Sequence, residues 1–166
     1  MKFSVITLLL ALLNTHSVFA AEDEVEVREL NWVNSSFLAN QRVLVDELTR
    51  RHFGTPVRGN SSDLHTLQRL IDKEVVPRDD TGTLQALGVV LGDVFVNENK
   101  PLEWRVLEDE LGMSHAVCVI DTTQCLFPVT MLSRRIEVGL NPRVQKVYED
   151  GLAMIKAWFP KRPFAD

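Results

Sequence analysis

LQALGVVLGDVF, residues 84–95, is apolar almost throughout, yet it carries two glycines four apart and one carboxylate. Asp79, Asp80 and Thr81 precede it, polar groups suited to the orphan amides of a first helical turn. The pattern predicts a helix over about 81–97. Leu84, Leu87, Leu91 and Val94 make its heavier apolar side, and Val89, Val90 and Phe95 widen the apolar surface. A helix that is apolar on most sides belongs at the centre of a domain. The run is too short and too interrupted to span a bilayer, which takes about 20 residues.

Gly88 and Gly92 form G-x-x-x-G on one helical face. In a membrane this spacing supports helix association; in water it reads as a seam where another element approaches the backbone. A phosphate site would instead need loop amides in front of a helix start, and neither G-x-G-x-x-G nor a lysine-bearing phosphate loop occurs. Asp93 is the sharpest catalytic candidate, because a buried acid can hold its proton near neutrality. Burial is costly unless a cation or hydrogen bonds compensate. With Arg134 or Arg135 as that cation, Asp93 is expected to be structural, and no residue is assigned a catalytic role.

Outward from this helix the chain divides into helical and extended segments. Residues 34–54, NSSFLANQRVLVDELTRRHFG, have helical spacing, with Asn34 or Ser35 as cap and Gly54 as stop. Residues 63–76, DLHTLQRLIDKEVV, form a second stripe capped by Ser61 or Ser62. Beyond Pro101, strands are expected at Leu102 to about Glu108, at 115–120 and at 125–127, with Glu110 to Gly112 as a turn. Short links favour an antiparallel meander. Residues 129–137 read as a short helix, and Asn141-Pro142 as the start of a last helix reaching Phe159. The expected fold is α+β, with helices packed against a small antiparallel sheet of about three strands.

The first twenty residues, MKFSVITLLLALLNTHSVFA, combine a basic start, an apolar core and a small-residue cleavage site, as an export signal does. Cleavage after Ala20 leaves 21–166 as a single domain with 17 basic against 23 acidic residues, a charge of −6. That balance disfavours nucleic acid as a partner, and no stable membrane insertion is expected after processing. Cys118 and Cys125 flank Asp121 and Thr122 in CVIDTTQC. A hairpin there would set the thiols opposite each other for a disulfide in an oxidising compartment. Two separate buried thiols are the alternative.

Glu108, Asp109 and Glu110 offer oxygen ligands for a hard cation, but neighbouring strand residues point to opposite faces, and the solvated turn is the simpler reading. His52, His65 and His115 belong to no zinc-site spacing, so neither a metal nor a cofactor is expected. Adjacent Arg134 and Arg135 could hold a carboxylate or phosphate, or divide between an ion pair and solvent. Trp104 would border any groove built from these groups.

From LQALGVVLGD through WRVLEDELG to LFPVTMLSRRIEVG, the chain resembles a family of uncharacterised bacterial domains of unknown function. The likeness rests on Gln85, Gly88, Gly92, Asp93, Trp104, the Glu108–Gly112 turn, Phe127, Pro128, Met131, Ser133, Arg134 and Arg135, and is strongest over 80–150. It implies one compact module and makes Asp93, the acidic turn and the arginine pair candidates for one polar cluster. It brings no activity or catalytic set.

The expected function is a non-enzymatic exported binding or protein-interaction domain, periplasmic in a Gram-negative cell and secreted otherwise. Its partner would be an envelope protein or wall-associated ligand. The alternative is a small cell-envelope hydrolase using carboxylate acid–base chemistry.

Overall fold

A computed structural model describes residues 25–161. The signal segment expected at 1–20 lies outside the described residues. The elements run β1 (Glu26–Arg28), α1 (Trp32–Phe53), α2 (Ser62–Asp72), α3 (Thr81–Glu98), β2 (Leu102–Asp109), β3 (Gly112–Val119), β4 (Cys125–Leu126), α4 (Pro128–Glu137) and α5 (Val144–Lys156). The four strands form one antiparallel sheet in the order β1-β2-β3-β4. The fold is α+β, helices on a small antiparallel sheet.

α3 is the central helix. Every residue from Ala86 to Phe95 is buried, Gly88, Gly92 and Asp93 included. α1, α2, α4 and α5 and strands β2 and β3 all contact it. Asp80 begins it by accepting the Thr83 amide at 3.0 Å. The two glycines are the seam the spacing suggested. A Cβ at Gly88 would lie 2.5 Å from the Val129 carbonyl oxygen and 2.7 Å from its carbon, so the start of α4 rests on bare backbone. At Gly92 a Cβ would meet Trp104 Cη2 at 2.5 Å and Pro128 Cγ at 2.9 Å.

Several boundaries differ from those the sequence suggests. β1 is a fourth strand, hidden in the acidic EVEVRE because an edge strand carries charge on most of its positions. α1 starts earlier than expected: Asn31, rather than Asn34 or Ser35, is the cap, and its Oδ1 accepts the Asn34 amide at 2.9 Å. Ser61 precedes α2 without a side-chain cap bond, and its amide donates to Glu98 Oε1 at 2.8 Å. α5 begins at Val144 instead of at Pro142, because Gln68 Oε1 on α2 accepts the Val144 amide at 2.8 Å and supplies the cap from a distance. It ends at Lys156, short of Phe159.

Cys118 and Cys125 are register partners of β3 and β4 and form a disulfide. The turn between them closes as CVIDTTQC suggested: Thr122 donates to the Val119 carbonyl through both its amide and its hydroxyl, at 3.1 and 2.9 Å. A cross-link over so short a loop contributes roughly 2–3 kcal/mol in the chain-entropy picture. It sits in a small satellite cluster with Leu107 and Ala116, on the sheet face opposite Trp104 and Val117.

Candidate functional site

The suggestive polar residues fall into two separate places. At the first, Asp93 accepts from Arg42 Nε at 2.6 Å, from Arg42 Nη2 at 2.7 Å and from the Trp104 indole Nε1 at 2.9 Å. Its carboxylate is therefore gripped by a two-pronged guanidinium and an indole at once. The compensating cation is Arg42 of α1, not Arg134 or Arg135. The Asp93 carboxylate, as hydrogen-bond acceptor and opposite charge, holds the Arg42 guanidinium above its usual pKa, against the opposing effect of burial. Three elements are pinned at one point: α1 through Arg42, α3 through Asp93 and β2 through Trp104.

At the second place, a groove of about 420 Å³ runs between α1, the β2–β3 loop and α4. Asp109, Arg134, Phe37, His115, Phe127 and Gln85 line it. Phe37 stacks on His115 with centroids 4.7 Å apart and planes 13° from parallel. Leu111, 97% exposed, and Met113, 69% exposed, project from the hairpin. Asp109 Oδ1 accepts the Leu111 amide at 2.9 Å and so fixes this tip.

The remaining predicted members go elsewhere. Glu108 is close to Arg28 of β1, with Oε2 2.7 Å from Nη1; the pair meets the distance for an ion pair without hydrogen-bond alignment. Arg28 also bonds Glu26 at 2.6 Å, so one cation separates two acids that face each other across the ladder. Arg135 donates back to the Met131 carbonyl of its own helix. Glu110 lies in the hairpin loop. The single cluster of Asp93, Trp104, Glu108, Asp109, Glu110, Arg134 and Arg135 is thus divided: Asp93 and Trp104 at one place, Asp109 and Arg134 at another. Among the described residues, no group of three or more His, Cys, Asp or Glu side chains converges as a metal site.

His115 Nε2 is buried and has no hydrogen-bond partner. Burial holds the imidazole below its ordinary pKa of 6.5. The unfolded chain therefore binds this proton more readily than the fold does. The associated stability is complete above pH 6.5 and is lost as the pH falls below that value towards the folded pKa. His115→Phe keeps a ring against Phe37 and removes the proton. Urea unfolding across this range is expected to give a flatter stability curve for the variant; an unchanged slope would remove His115 as the cause.

Sequence reasoning missed Arg42 and Phe37, both on α1. Nothing near Arg42 in sequence marks it as a partner for an acid fifty-one positions away. The only available signal for Phe37 was its place on an amphipathic helix.

The domain of unknown function DUF3806 matches residues 63–148. The chain belongs to this family. The DUF3806 span includes Asp93, Trp104, His115 and Arg134, whereas Arg42 and Phe37 lie before it. The fold is similar to a crystal structure of a protein from Bacteroides thetaiotaomicron VPI-5482, with a TM-score of 0.70 at 15% identity. The match covers 81% of this chain and 49% of that one, so the DUF3806 member spans about half the length of its structural relative. At this identity the likeness concerns the fold alone. No curated protein matches the chain. Among the described residues, no helix is long and apolar enough to cross a membrane.

Proposed function

We propose that the protein is an exported, non-enzymatic binding domain that docks a protein segment in the groove between α1, the β2–β3 loop and α4. The observation that carries this reading is the gathering of Leu111, Met113, Phe37 and Phe127 around one cavity, each at least partly exposed, with opposite charges in the same lining. Recognition sites draw most of their binding energy from a few apolar anchors seated in a pocket, while polar groups at the edge set orientation. Asp109 and Arg134 are the charged groups of this lining.

Export is supported by the Cys118–Cys125 bond, of a kind that persists in oxidising compartments, and by the composition of residues 1–20. The compartment is then the periplasm, or the exterior of a cell without an outer membrane, and the partner is an envelope protein or a wall-associated ligand. The envelope-hydrolase alternative needs two carboxylates across a cleft with room for the scissile bond. Asp93, the acid it would use first, already has both oxygens engaged by Arg42 and Trp104.

Envelope proteins and wall fragments screened against the purified domain test the proposal. A saturable ligand is expected to bind about tenfold or more weakly to Leu111→Ser and to Met113→Ser, since anchor truncation commonly exceeds 1 kcal/mol. Neither exposed substitution is expected to change the melting temperature. Binding indifferent to both substitutions would move the site off this groove, and robust turnover by the purified domain would favour the hydrolase.

A further inference from the structure

We propose a second binding site, for a small carboxylate- or phosphate-bearing ligand, in the groove above Asp93. This groove, about 630 Å³, brings together Arg42, Arg50 and Arg58 beside Trp104. The lining holds three arginines and two acids, Asp46 and Asp93, a local charge of +1 in a chain of net charge −5. Both acids are already committed. Asp93 takes Nε and Nη2 of Arg42. Asp46 takes Nε of Arg50 at 2.5 Å through one oxygen and the Val57 amide at 2.8 Å through the other. The Arg50 carboxylate contact, by hydrogen bonding, holds Asp46 below the usual carboxylate range, so the acid stays ionised and keeps its grip.

Arg42 and Arg50, both on α1, are each oriented through Nε and retain outer N–H groups for another acceptor. Among the described residues, Arg50 keeps both terminal nitrogens and Arg42 keeps Nη1. Arg58 has no ion-pair partner among the described residues. Its loop is nonetheless firmly placed: the Val57 amide goes to Asp46, and the Arg58 and Gly59 amides go to buried Asp63 at 3.0 and 2.6 Å. The Gly59 carbonyl accepts from Asn97 Nδ2 at 2.7 Å. The loop amides are consumed internally, so guanidinium groups alone would supply the donors. Oriented guanidinium forks suit the paired oxygens of carboxylate and phosphate. Val43, Val96 and Trp104 add apolar wall, which favours an anion carried on a partly apolar body.

Calorimetric titration of the purified protein with inorganic pyrophosphate, and separately with citrate, tests the site against sodium chloride of matched ionic strength. At least one probe is expected to bind saturably, and the probe that does so identifies phosphate or carboxylate as the preferred group. Arg58→Ala and Arg50→Gln are each expected to weaken that binding about tenfold, the effect of losing one charge-assisted contact. Arg58 is exposed and has no ion-pair partner among the described residues, so its removal is expected to leave the melting temperature unchanged. Absence of binding above the chloride control, or undiminished binding by both variants, would overturn the proposal. Leu111→Ser in the other groove is expected to leave this affinity intact, which separates the two sites.

Discussion

Gly88→Ala is expected to destabilise the protein by ~3 kcal/mol or more. Overfilling a packed interior commonly costs about 1–3 kcal/mol, and this site falls at the severe end. The added carbon would meet the Val129 carbonyl oxygen and carbon, both backbone atoms of α4. A side chain can rotate away; a helix start pinned by Pro128 cannot without opening the α3–α4 seam. Alanine also favours a helix by about 1 kcal/mol over glycine, so the observed loss is net of that gain. Gly92→Ala should cost less, since the Trp104 ring is the nearest obstacle, but its displacement would break the indole bond to Asp93. Denaturant unfolding with unchanged slope gives the energies. A neutral or stabilising Gly88→Ala would end the close-packing account of this helix.

Asp93→Ala is the second large effect, with an expected loss of about 2–3 kcal/mol. Removing one member of a buried pair costs about 3–5 kcal/mol because the other is left unsatisfied. Here Asp93 is nearly enclosed but the Arg42 side chain is 37% exposed, so water recovers part of the loss. The Trp104 N–H also loses its acceptor. Trp32 and Trp158 are 81% and 55% exposed, so the shielded component of tryptophan emission belongs to Trp104. That component is expected to shift to the red in Asp93→Ala. Were Asp93 a catalytic acid instead, Asp93→Asn would abolish a turnover while leaving stability almost unchanged.

The core of the fold was readable because it rests on local and periodic information. α3 announces itself by unbroken apolar character between polar ends, and Gly88 and Gly92 by their spacing. The hairpin followed from Gly112 and the acidic turn; the placing of Cys118 and Cys125 about Asp121-Thr122 allowed a disulfide but left separate thiols open, and the β3–β4 register decides between them. β1 escaped because a three-residue edge strand is defined by the ladder it joins. The α5 start was misplaced because its cap is Gln68, on another helix. The same limit governed the polar cluster. Asp93 pairs with a cation set by the path of α1 across α3, and Arg42 looks in sequence like any solvent-facing arginine. Arg134 and Arg135, adjacent and conspicuous, turn to different neighbours because a helix separates consecutive side chains by about 100°.

The most direct test of the structural role of Asp93 is a double-mutant cycle combining Asp93→Asn with Arg42→Met. Unfolding free energies of the four proteins are expected to show a coupling of about 1.5 kcal/mol or more, as for residues within one buried charge network. Additivity within about 0.5 kcal/mol would mean that the acid and the guanidinium do not hold the fold together, and would contradict the account.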